Sequence, residues 1–107
     1  MKYLVQMTAH ELFPTLGPPE LKNTMDNMVF PSLDMLAKWQ SEGKITGGIC
    51  VGERAGAFIV EAPNAQELDK MLLQLPFWGM METKVTALVD IAERRASEDA
   101  LLQQAGK

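Results

Sequence analysis

Proton-transfer chemistry needs a group that titrates near neutrality and a positive group to hold developing negative charge, and this chain offers few of either. His10, the single histidine, and its neighbour Glu11 follow an apolar run near the start, while Arg54 lies in Glu53-Arg54-Ala55 between two further apolar runs. An imidazole exchanges a proton near pH 7, and a carboxylate does so once burial raises its pKa. A guanidinium holds a carboxylate or an oxyanion through paired N–H groups. His10 and Glu11 are therefore the candidate catalytic pair and Arg54 the candidate substrate anchor. Each also has a plainer use, the first two as an exposed loop and the third as a solvated hairpin tip. Gln6 is polar within an apolar strand and, if buried, needs a partner; a ligand and a backbone group serve equally. Phe77 and Trp78 are bulky for a connection and are expected to wall a pocket or an interface, completing the substrate-binding set.

Other chemistries find no support in the spacing. One histidine and one cysteine leave no metal-ligand pattern, so no metal or cofactor is expected. Gly43-Lys44-Ile45-Thr46 lacks the earlier glycine and the Ser/Thr directly after lysine that a phosphate loop requires. The glycines at 43, 47, 48, 52 and 56 do not match a dinucleotide fingerprint. Cys50 reads as a small core hydrophobe. The single cysteine excludes an internal disulfide framework. A net charge of −4 with no Lys/Arg run argues against nucleic-acid binding. There is no apolar span of roughly 20 residues for a membrane helix. The expectation is a soluble cytoplasmic protein.

At 107 residues the chain suits a single domain, with a core over residues 1–89 and a helical extension over 90–107. Residues 2–8 read as a first strand, and residues 10–19, with Pro14, Gly17, Pro18 and Pro19, as a loop. The stripe Leu21, Met25, Met28, Leu33, Leu36 and Trp39 predicts a helical region over residues 20–42, kinked or broken at Pro31 and stopped at Gly43. Residues 44–52 and 56–62 read as a hairpin. Asn64 with Glu67 fits a capping box ahead of a helix burying Leu68, Met71, Leu72 and Leu75. Met25, Met28, Met35 and Met71 are expected in the helical core. A fourth strand spans 82–89. The last helix, 90–104, has opposite charges at Asp90/Arg94 and Arg95/Asp99 and only a weak apolar stripe. This order is the βαββαβ of a ferredoxin-like α+β fold. Apolar residues on both faces of the central strands, with helices for one face only, predict a homodimer or larger homo-oligomer.

One stretch combines several of these signals. Ala62-Pro63-Asn64-Ala65-Gln66-Glu67-Leu68 opens a helix that Leu72-Leu73-Gln74-Leu75-Pro76-Phe77-Trp78 closes. Glu42-Gly43-Lys44-Ile45 precedes it and Val85-Thr86-Ala87-Leu88-Val89 follows. Together these resemble the muconolactone isomerase family, dimeric α+β barrel proteins of aromatic catabolism, over roughly residues 1 to 90. The resemblance implies a cofactor-free proton shift on a cyclic, unsaturated, lactone-like substrate. In that family the first strand, the second strand and the following hairpin turn carry basic and aromatic residues at the site. The matching positions here are Gln6, Thr46, Cys50, Arg54 and Ala55, of which Arg54 alone is basic, implying a less anionic and more apolar substrate. The alternatives are a cofactor-independent monooxygenase or cyclase of aromatic polyketide-like compounds, and a non-catalytic ligand-binding or assembly module. An ionisable group lining the pocket would favour an enzyme.

Overall fold

The computed structural model describes residues 1–10 and 17–106. Strand β1 spans Lys2–Ala9; residues 11–16 of the expected loop fall outside the described part. Helix α1 covers Pro18–Thr24, with Pro18 and Pro19 in its first positions, where the missing amide costs no intrahelical bond. A π-helical turn, Met25–Val29, leads into α2, Phe30–Ser41. Thus the kink expected at Pro31 is present as a widened turn. The Phe30 amide donates to the Met25 carbonyl, one residue further back than in an α-helix. The wide turn comes immediately before Pro31, which cannot donate and crowds the carbonyl of the preceding turn.

Helix α2 ends in a Schellman motif. Gly43 takes φ +78°, its amide donates to Gln40 O at 3.0 Å, and the Lys44 amide donates to Trp39 O at 2.9 Å. Strands β2 (Ile45–Ile49) and β3 (Ala55–Glu61) follow as a hairpin, then α3 (Ala65–Leu73). Asn64 Oδ1 accepts from the Glu67 amide at 2.9 Å, a cap contributing about 1 kcal/mol. The Glu67 carboxylate meets Lys70 Nζ at 3.3 Å. A 3-10 turn, Trp78–Met80, leads into β4, Met81–Leu88, and α4 covers Ile91–Ala105. In α4, Arg94 Nη1 approaches Glu98 at 3.8 Å, a pairing different from those the spacing suggested.

The sheet is antiparallel in the order β2-β3-β1-β4, the ferredoxin-like arrangement. Its register aligns Val5 with Phe58 on one side and with Val85 on the other. Side chains opposite one another share a face. Tyr3, Val5, Met7, Phe58 and Val60 thus point to the helices, where they are buried with Leu36, Trp39, Leu68 and Leu72. The other face carries Leu4, Ala57 and Ile59, half-buried at its centre, flanked by exposed Gln6, Thr8, Lys84 and Thr86. Apolar groups thus occur on both faces, and on the open one Ala55, opposite Thr8, and Leu88, opposite Lys2, are half-buried as well.

Helix α4 stands apart. None of its residues is buried, and Ile91, Leu101 and Leu102 are all exposed. At 1.5 Å per residue it is an arm of about 22 Å, which helps to explain overall dimensions of 68 × 28 × 24 Å. Among the described residues no helix is long and apolar enough to cross a membrane.

Candidate active site

Between the helix face of the sheet and the kinked helix lies a cavity of about 210 Å³. Its walls are apolar. Met7 and Phe58 come from the sheet, Met25 and Val29 from the π-helical turn, Leu33 and Leu36 from α2, and Phe77, Met80 and Met81 from the segment after α3. The charged residues lining it, among the described residues, are Glu53 and Arg54, both of which are exposed overall.

Local chemistry explains why the hairpin carries these two charges to the cavity. The Glu53 amide donates to Cys50 O at 3.3 Å, closing a four-residue turn. Gly52, third in that turn, has φ +74°, the left-handed conformation a type II turn demands there. Beyond the turn, the Ala9 amide donates to Arg54 O at 2.9 Å. The hairpin is thereby fastened to the end of β1, where Ala9 itself lines the cavity.

The aromatic wall is fixed by a residue that no motif indicated. Ser32 is fully buried; its hydroxyl donates to Met28 O at 2.6 Å and accepts from the Phe77 amide at 3.0 Å. One hydroxyl therefore satisfies a carbonyl of the widened turn and a buried amide of the segment after α3. A serine one residue after a helical proline was the available signal. Helix periodicity points to side-chain faces and does not report such a bond.

The expected site residues divide between the two sides of the sheet. Arg54 and Phe77 line the cavity, with Glu53 beside them. Trp78 is half-buried, packed against the core rather than along the cavity wall. Gln6 alternates to the open face and is exposed. His10 continues that parity. Its amide donates to Met80 O at 2.9 Å, and Nδ1 lies 3.7 Å from Glu82 Oε1, a side chain on the open face, with the imidazole about half exposed at 46%. His10 is thus not brought to the cavity with Arg54, because successive strand residues point to opposite faces. Glu11 lies outside the described residues. Of the methionines expected in the helical core, Met35 and Met71 pack there, Met25 lines the cavity and Met28 is 39% exposed. Among the described residues no group of His, Cys, Asp and Glu side chains is arranged to hold a metal ion.

The fold has counterparts in known proteins. Muconolactone isomerase superposes with a TM-score of 0.63 at 20% identity, over 84% of this chain and 90% of that one. The 5-chloro-2-hydroxyhydroquinone dehydrochlorinase of Burkholderia phenoliruptrix, in complex with 2,5-dihydroxybenzoquinone, superposes with a TM-score of 0.59 at 23% identity, over 87% of this chain and 98% of that one. At such identities the likeness establishes the fold. No curated protein sequence matches. The family model for muconolactone delta-isomerase matches residues 1–94, and the chain accordingly belongs to the muconolactone delta-isomerase family.

Proposed function

We propose that the protein is an enzyme that shifts a proton on a single unsaturated ring bearing an oxygen function, with Glu53 moving the proton and Arg54 holding the oxygen. The observation that carries this reading is the apolar cavity whose lining charges are this one carboxylate and this one guanidinium. An apolar cavity of about 150 Å³ suffices for benzene, so about 210 Å³ suits one ring with small substituents. The structural relative bound to 2,5-dihydroxybenzoquinone, itself a single oxygenated ring, supports that size class.

In the proposed step Glu53 removes a proton from a ring carbon conjugated to a carbonyl. The electron pair moves onto the carbonyl oxygen, which faces the Arg54 guanidinium, and the proton returns to another carbon of the conjugated system. Nothing is oxidised or reduced. The methionine and phenylalanine walls keep water from the dienolate and lower the local dielectric, strengthening the contribution of Arg54. Such chemistry fits a place in the breakdown of aromatic compounds. The half-buried centre of the open sheet face and the unpartnered arm α4 support a homo-oligomer, with a second copy covering that face.

Proton NMR in D₂O with muconolactone as probe tests the reading. Wild-type protein should wash deuterium into the ring, Glu53→Gln should slow this by about a hundredfold or more, and Arg54→Ala should also weaken it. His10→Gln should leave the rate within a factor of two, because its side chain is on the other face. Exchange that survives Glu53→Gln, or is lost in His10→Gln, overturns the assignment. Ring binding without exchange would make the protein a binding module.

A further inference from the structure

A second cavity, about 160 Å³, lies beside the first beneath the β2 edge, where Gly47, Gly48 and the exposed Gln40 border it. The two cavities share four wall residues: Leu33, Leu36, Ile49 and Phe58. We propose that Phe58 is the specificity-determining residue of the site, its ring forming the partition that limits how long a ring substituent the enzyme accepts. This rests on the ring-binding reading above.

Phe58 is buried on the helix face and has a glycine on either side of it. Gly56 precedes it by two residues on the same strand face, and Gly47 is its direct partner across the ladder. A Cβ placed on Gly56 would fall 2.7 and 2.8 Å from Cε2 and Cζ of the Phe58 ring. The ring therefore lies back over Gly56, in the space a side chain would otherwise occupy. On its other side Gly47 has φ +118°, and a Cβ there would come within 2.9 Å of Phe58 Cα, so no other residue fits that backbone without strain. A Cβ at Gly47 would also run into the Ala57 carbonyl, so β3 backbone fills that side, and Gly47 and Phe58 line the second cavity together. An aromatic side chain between two glycines, with a cavity on each side, decides whether the two spaces act as one. With the ring in place, a substituent directed toward β2 stops at Phe58. Without it, the substituent extends under β2 toward Gln40.

A series of 4-alkylphenols, from phenol to 4-hexylphenol, reads the partition by titration calorimetry. Affinity should rise roughly fourfold per buried methylene until the chain meets Phe58, then fall. Phe58→Leu, the variant with the milder packing loss, and Phe58→Ala should both move that cut-off to longer chains. Gly56→Ala, by displacing the ring into the first cavity, should move it to shorter ones. A cut-off unchanged across these variants, with phenol still bound, overturns the role of Phe58 alone. Wild-type protein that binds no member of the series overturns the ring-binding reading and this inference together.

Discussion

Toward the helices β1 sends Tyr3, Val5 and Met7, all buried; toward the open side it sends Leu4, half-buried, and Gln6 and Thr8, exposed. The helix face is completed within one protomer and encloses the cavity. The open face has half-buried apolar residues at Leu4, Ala55, Ala57, Ile59 and Leu88, interspersed with exposed charged and polar side chains such as Lys2, Gln6, Thr8 and Lys84. One face holds the buried core and the cavity, and the other is the face we propose a second copy covers. Which face a residue occupies therefore matters more here than its type: His10, the single histidine, is on the side without the cavity.

The largest effect should come from placing the same charge on each face in turn. Val5→Lys buries an unpaired ammonium in the core at a cost on the order of several kcal/mol, comparable with the whole stability of a small domain, and should abolish the cooperative melt followed by circular dichroism. Ile59→Lys, on the open face opposite Leu4, should leave each protomer folded and shift light scattering from oligomer to monomer. Equal unfolding by both would erase the distinction between the faces.

Ser32→Ala sharpens the comparison within the helix face. It strips the Met28 carbonyl and the Phe77 amide of a shared partner and should lower stability by about 1–3 kcal/mol in urea titrations. The phenol affinity should fall with it, because Phe77 lines the cavity. Stability unchanged by the substitution would mean that the hydroxyl is not needed to hold the two segments together.

Truncation after Val89 removes an arm with no buried residue. The core should melt as before while the oligomer shrinks, as size-exclusion chromatography with light scattering would show. An unchanged assembly would separate α4 from the interface. The smallest effect should come from Thr83→Val. Thr83 Oγ1 is the buried side-chain polar atom without a hydrogen-bond partner among the described residues. Replacing the hydroxyl by a methyl should raise stability by about 1 kcal/mol in the same titrations. A loss instead would show that the hydroxyl has a partner in solution.

Much of the fold was legible in the residues because its signals are local. The cap at Asn64, the stop at Gly43 and the break before Pro31 each depend on a side chain or ring acting within one turn of backbone. Element order followed from the succession of these local signals, whereas the spatial order β2-β3-β1-β4 is seen in the sheet itself. The candidate site was legible only in part. Arg54 and Phe77 stood out as a charge and an aromatic ring in connecting segments, and both line the cavity. Glu53 and Ser32 did not stand out, since the cavity and the Phe77 amide that they meet are formed by elements distant in sequence.

The sequence by itself determined the element order, the turn chemistry and the membership of most helix cores, since propensity, capping and periodicity act over a few residues. Only the tertiary structure decided the parity of β1. Its alternate residues include apolar side chains in both sets, Tyr3, Val5 and Met7 in one and Leu4 in the other, so local pattern allows either set to face the helices. Register against Phe58 and Val85, together with the position of the helices, resolves that choice. It puts His10 and Gln6 on one side of the sheet and assembles Glu53, Arg54, Phe58 and Phe77 on the other, because a cavity is formed by elements that meet in space and not by residues that adjoin in the chain.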